Sequence, residues 1–289
     1  MDKYLFTFPE KWQLNLGSSI DDWIKALSRE HRDVLSAIKS IIIDAINGIN
    51  WILSIIPWWL LIIIVIILGY KVRGKKSTGI LYGLMLFTVG WFGFWPHMLE
   101  TLSIVIASVF LSVLIGFPLG VLIAMKKWAH NAIRPILDLM QTMPAFVYLV
   151  PAVILFSTGK TPALMATTIY SIVPMIRMTS LGISSVDAEV VEAAKSFGST
   201  TIQTLVKVQI PQAKSTIMTG VNQTIMMAMS MVVTCALIGA DGLGMEILLA
   251  TNRTEMGKAL LPGIVIVIIA IILDRLTQGF IGEDDLIEE

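Results

Sequence analysis

The sequence contains one cysteine, Cys235, set inside an apolar run, so no intrachain disulfide can form. Its three histidines, His31, His97 and His130, are scattered, and nothing has metal-ligand spacing; no metal site is expected. Formal net charge is +0, which leaves no basic footprint for nucleic acid. The opening MDKYLFTFPEKW lacks the charged-then-apolar order of a cleaved signal peptide. No nucleophile–base pair and no carboxylate pair stands in a plausible site, so no catalytic residue is assigned. STGKT at 157–161 ends like a phosphate-binding loop, but Ile154 holds the place of the required earlier glycine. The chain therefore carries no visible ATP site and calls for no cofactor of its own.

Charge is scarce as well. Charged residues make up 15% and hydrophobic residues 55%, with a mean hydropathy of +0.79. Soluble domains carry more charge than this. Several apolar runs approach the ~18 residues that mark a transmembrane helix. The fold class is all-α, a polytopic membrane protein with about seven spans, at roughly 54–70, 79–95, 98–125, 132–156, 162–183, 214–240 and 258–279. A β-barrel would show short alternating segments instead.

Basic residues set the orientation. Lys71, Arg73, Lys75 and Lys76 follow the first span; Lys126, Lys127 and Arg134 lie between the third and fourth; Lys195, Lys207 and Lys214 lie between the fifth and sixth. The opposite loops carry Lys160, and Arg253 with Lys258. This places the N-terminus outside and the C-terminus in the cytoplasm. Trp58, Trp59, Trp91 and Trp95 then fall at outer interfaces and Trp128 at an inner one, as an aromatic belt requires. The expected organisation is an extracytoplasmic segment 1–53, two scaffold helices over 54–95, a core over 96–280 and an acidic cytoplasmic tail over 281–289. Within the first segment, apolar residues from Val34 to Ile49 recur at helical spacing, which suits a helix lying on the membrane surface or packed on protein.

Two spans carry rows of small residues: Ser108, Ser112, Gly116, Gly120 and Ala124 in the third, and Thr216, Gly220, Thr224 and Ala228 in the sixth. Such faces let helices approach closely in lipid, either as static packing or as a sliding surface. Pro118, Pro144, Pro151 and Pro174 interrupt spans, a feature of helices that line a path. Candidate path residues are Met140, Met143, Pro144, Asn222, Met226, Met229 and Ser230; the bland alternative for the methionines is gap filling. Asp138 is expected to form a structural ion pair with Arg134 or Arg177, because an unpaired charge in lipid is costly.

One stretch cannot span a membrane: EAAKSFGSTTIQTLVKVQIPQA, from Glu192 to Ala213. Asp187 can cap a helix beginning near Ala188, and Gly198 can end it in the left-handed conformation. Thr200 and Gln203 have capping-box spacing for a second short helix, which Ile210-Pro211 ends. Val190, Ala193, Ala194 and Phe197 line one side, and Glu192 offers a carboxylate. The physical reading is either an ordinary capped loop or a helical knob that docks a partner and passes on rigid-body motion.

The same stretch resembles the EAA loop of permease subunits of bacterial ATP-driven importers. Glu192, Ala193, Ala194 and Gly198 match, and Val208, Gln209, Ile210 and Pro211 stand where the family usually has I-x-L-P. PILDLMQTMPAFVYLVPAV (135–153), MIRMTSLGI (175–183), NQTIMMAMSMVV (222–233), GADGLG (239–244) and ILDRLTQ (272–278) resemble permeases of the glycine betaine/proline type. The resemblance covers roughly residues 95–280. It implies a type I importer permease fold in the bacterial inner membrane, with loop 187–213 as the coupling element. It also implies a homodimer, two ATPase subunits that bind ATP, a separate substrate-binding protein, and a quaternary-amine osmoprotectant such as glycine betaine as solute. Glu192, Ala193, Ala194, Phe197, Gly198, Ile210 and Pro211 are the coupling residues on this reading. A permease for methionine or another small solute is the alternative within the class. An ion-coupled secondary transporter or a membrane enzyme would need inverted repeats with buried carboxylates, or a reactive constellation, and neither is visible.

Overall fold

The computed structural model describes residues 16–279, and every regular element among them is helical. The tail 281–289 and the first fifteen residues lie outside the described residues. In chain order the main helices are α1 (Leu16–Glu30), α2 (Arg32–Ile55), α3 (Trp58–Arg73), α4 (Lys76–Trp91), α5 (Trp95–Met125), α6 (Lys127–Thr142), α7 (Leu149–Phe156), α8 (Lys160–Ser184), α9 (Ala188–Ser196), α10 (Thr201–Thr204), α11 (Lys214–Thr234), α12 (Leu243–Asn252) and α13 (Met256–Gly279).

The packing centres on α8, which lies between α5 and α11 and is the most buried of the long helices. The small-residue row of α5 explains half of this. Ser108 and Ser112 donate to the carbonyls of Leu164 (3.5 Å) and Thr168 (3.2 Å), and Ser112 also meets Ser171 at 3.0 Å. Further along, a Cβ on Gly120 would sit 2.6 Å from Thr179 Cβ and 2.7 Å from the Ile176 carbonyl. The two helices are thus parallel and in register, each fourth residue of α5 meeting the next turn of α8. The row on α11 packs against the other side: Cβ atoms on Gly220 and Gly182 would meet Met178 at 2.7 Å and Thr216 at 3.0 Å. In lipid, where apolar surface gains little from hiding, such close backbone approach is what holds helices together.

α5 and α8 start at one end of the bundle and finish at the other, where α9 projects. We call these the far end and the knob end. α3 and α4 form a hairpin that traverses between them. Trp58 at the start of α3 lies beside Trp91 and Trp95 at the far end, around a cavity of about 850 Å³. At the other end of α3, Val72 presses on Gly279 of α13. Each hairpin helix has 16 residues, short of the ~20 expected of a span. Pro57 delays the first expected span to Trp58, and a break before Trp95 ends the second at Trp91.

One expectation changes. The span expected at 132–156 is two pieces, Lys127–Thr142 and Ala145–Phe156, that meet at 114° with Pro144 at the break. The proline removes a donor and disfavours helical backbone before it, so the chain turns there. The helix expected on the membrane surface or packed on protein is α2, which is also long and apolar enough to cross a membrane. Its first turns, at Arg32 and Ser36, border Leu155 and Ser157, and its last turn, at Ser54, borders Trp91 and Trp95. Both places are at the far end. α2 therefore lies across the bundle, seated through Ile42 and Ile46, with Val34, Ile41, Trp51 and Ile52 exposed on its other side.

Candidate functional site

The knob is built by local chemistry. Asp187 accepts from the Glu189 N–H at 2.8 Å and so starts α9. Gly198, at φ +82°, ends it, with N–H donors of Gly198 and Ser199 reaching the Lys195 and Ala194 carbonyls. Thr200 and Gln203 then form a reciprocal capping box: the Thr200 N–H donates to Gln203 Oε1 at 2.8 Å, and the Gln203 N–H donates to Thr200 Oγ1 at 3.3 Å. The second helix continues through a π-helical turn, Leu205–Gln209, and a last turn, Ile210–Gln212, into α11. These caps make the knob a defined body rather than a frayed loop.

Its outward face is apolar. Phe197 is 93% exposed and Ile202 70%, with Val190, Val206 and Ala193 also exposed and Ala194 partly so. The other coupling candidates divide. Pro211 is exposed, whereas Ile210 packs into the cluster of Met175, Ile183, Leu205 and Ile217 that joins the knob to α8 and α11. Glu192 turns the other way from Phe197. It lines a cavity of about 360 Å³ between α9 and the last turns of α5 and α8, with Lys195, Thr201, Thr204 and Gln209. Gln209 Nε2 also donates to the Ile183 carbonyl at 3.5 Å. The knob is therefore fixed to the ends of α8 and α11, and a push on Phe197 is a push on both helices.

The path candidates are not all brought together. Met140, Met143 and Pro144 gather at the bend, where the Tyr148 hydroxyl donates to the Met140 carbonyl. Met226 and Ser230 are exposed on α11, and Ser230 Oγ donates to the Met226 carbonyl at 3.2 Å. Met229 is 2% exposed, inside the main core. Asn222 donates to Asp274 Oδ1 at 2.7 Å, pinning α11 to α13, and Gln278 donates to the same oxygen at 2.8 Å. On α6, Asp138 pairs with Arg177 of α8, while Arg134 has no acidic partner among the described residues.

Sequence reasoning missed a set of ties at the far end. Gly159 N–H donates to the Ile238 carbonyl at 2.9 Å, and Lys160 lies 3.6 Å from Asp241. His97 lies 3.3 Å from Glu246, and the Leu243 N–H donates to Thr101 Oγ1 at 2.9 Å. Gly242, at φ +113°, makes this approach possible, since a Cβ there would stand 2.5 Å from Thr101 Oγ1. The loops that supply these groups, STGK and GADGLG, are far apart in the chain; only the glycines hinted at tight geometry.

The fold is that of an importer permease. It superposes with TM-score 0.57 on the MetNI methionine ABC transporter solved in inward-facing conformations, at 20% identity, over 63% of this chain and 91% of that one. The chain belongs to the binding-protein-dependent transport system inner membrane component family, whose model matches residues 116–281. It is 44% identical to the glycine betaine/carnitine transport permease of Listeria monocytogenes, over 92% of this chain and 95% of that protein. It is also 41% identical to the glycine betaine transport system permease of Bacillus subtilis, over 92% and 94%. The Escherichia coli glycine betaine/proline betaine permease is 40% identical, over 95% and 77%. The protein is thus a multi-pass inner-membrane permease component of an ABC importer.

Proposed function

We propose that this permease imports glycine betaine or a related quaternary ammonium osmoprotectant, driven by ATP hydrolysed on a separate subunit. The observation that carries the coupling role is Phe197, almost fully exposed at the C-terminal end of a helix that is capped at both ends and fixed to α8 and α11. An aromatic side chain left in water on a rigid body suits insertion into a partner's pocket. Two ATPase subunits dock at the knobs of a permease homodimer, and a substrate-binding protein docks at the far end. The knob end is then cytoplasmic, the N-terminus outside and the C-terminus inside.

In this scheme ATP draws the ATPase subunits together and carries the two knobs with them. α8 and α11 move because their ends are part of the knob, and the far-end ties must part when the path opens outward. A quaternary ammonium has no N–H to donate and is recognised by aromatic faces and carboxylates. Selectivity in this scheme rests on the binding protein, with the described path candidates offering flexible methionines and few charges.

The test is uptake of labelled glycine betaine into vesicles holding the permease, its ATPase and its binding protein. Wild type should require ATP on the knob side and no ion gradient. Phe197→Asp should assemble in the membrane normally yet lose uptake at least tenfold. Uptake on a proton or sodium gradient alone would end the proposal, and normal uptake by Phe197→Asp would remove the coupling role.

A further inference from the structure

A second cavity at the knob end, of about 300 Å³, lies between the last turns of α5 and α8 and the first half of α6. Its polar wall is His130, Arg134, Arg177, Ser180 and Ser184, and its apolar wall includes Leu137 and Leu181. We propose that this cavity binds the phosphate group of an anionic phospholipid of the inner leaflet. The inner-leaflet placement rests on the orientation proposed above.

Three observations lead there. The first is charge. α6, its preceding residue and the knob-end half of α8 carry Lys126, Lys127, Arg134 and Arg177 against the single carboxylate Asp138. Asp138 is occupied by Arg177, which leaves the Arg134 guanidinium free among the described residues to take an anion. The second is donor supply. The hydroxyls of Ser180 and Ser184 make no hydrogen bond to the protein among the described residues, and His130 adds a ring nitrogen. A planar guanidinium with nearby hydroxyls is the donor set that suits phosphate oxygens.

The third is depth. α6 sorts its residues by face. Lys127, His130, Arg134 and Asp138 share one side, and Trp128, Ala132, Ile136 and Leu139 another. Trp128 is 65% exposed, and Ile136 and Leu139 are also open. An exposed apolar stripe carrying a tryptophan, beside a basic face, belongs at the level of lipid headgroups. Basic cavities between helices on the cytoplasmic side are where anionic headgroups lodge. A soluble anion would find the same donors but would gain nothing from the stripe next to them.

The test uses the permease assembled with its ATPase in nanodiscs of equal phosphatidylglycerol and phosphatidylcholine, followed by detergent extraction and native mass spectrometry of the lipids retained. Wild type should keep phosphatidylglycerol in preference to phosphatidylcholine. Arg134→Gln should lower that retention about tenfold, the size expected from losing one charge-assisted contact. Arg134→Lys should keep part of it. A paramagnetic probe on phosphatidylglycerol should broaden a label placed at Ser184→Cys more than the same probe on phosphatidylcholine. Equal retention of the two lipids by wild type would overturn the proposal, as would Arg134→Gln keeping its phosphatidylglycerol. Displacement of the lipid by millimolar inorganic phosphate would make it a soluble-anion site instead. Lipid retention by a permease that fails ATP-driven uptake would overturn the transport reading alone. Retention dependent on outer-leaflet phosphatidylglycerol would overturn the orientation, and the inner-leaflet claim with it.

Discussion

The two ends of the bundle are held together in different ways. At the knob end, order is local: Asp187, Gly198 and the Thr200–Gln203 box satisfy groups within a few residues, and two cavities open beside them. At the far end, order is long-range: Gly159 to Ile238, Lys160 to Asp241, Thr101 to Leu243 and His97 to Glu246 join segments distant in the chain. A part that keeps its shape through local bonds can move as a unit. A closure made of a few cross-ties can part without unfolding either side. In the proposed transport cycle this contrast would supply a stiff handle at one end and a releasable seal at the other.

The sharpest way to test this contrast is with a pair of glycines. Gly242→Ala would put a methyl 2.5 Å from Thr101 Oγ1 at φ +113°. Strain and overpacking together should cost about 3 kcal/mol, seen as a clear drop in thermal unfolding temperature of the solubilised protein. Gly198→Ala meets open space, and only its φ of +82° opposes a side chain, so about 1 kcal/mol is expected. Equal losses would mean that the two ends are built alike.

Thr101→Val comes next. It strands the buried Leu243 N–H, which should cost about 2 kcal/mol and speed hydrogen exchange at the start of α12. Unchanged exchange there would show that this tie does not hold the far end. Lys160→Gln should have the smallest effect. Asp241 is 58% exposed, so solvent screens the pair and the stability change should stay within about 0.5 kcal/mol. A measurable rise in outward opening without a stability change, read by accessibility of a cysteine at Thr158, would identify the pair as part of the seal.

Legibility in the sequence followed the same division. The knob could be read because caps are decided by three or four neighbouring residues. The small-residue rows on α5 and α11 were visible for the same reason, though their shared partner α8 was not. The bend at Pro144 was signalled by proline, but its 114° angle depends on what surrounds it. The far-end pairs had no local signature, since a single His97 or Asp241 says nothing about a residue many turns away. Met229 and Met226 look alike in sequence, and only packing separates the buried one from the exposed one.

The position of α2 has a consequence for anyone counting crossings. By length and hydropathy it passes as a membrane span, whereas α3 and α4 fall short. With α2 lying flat and the α3–α4 hairpin crossing, scoring by those criteria would count one traverse too many and two too few. Parity is what such a tally decides: one wrong increment inverts the assigned side of every later segment, the knob included. The helix lying crosswise thus controls how the whole chain would be drawn, and a glycosylation-acceptor or cysteine-labelling map should place its probes on both flanks of α2 before any other loop.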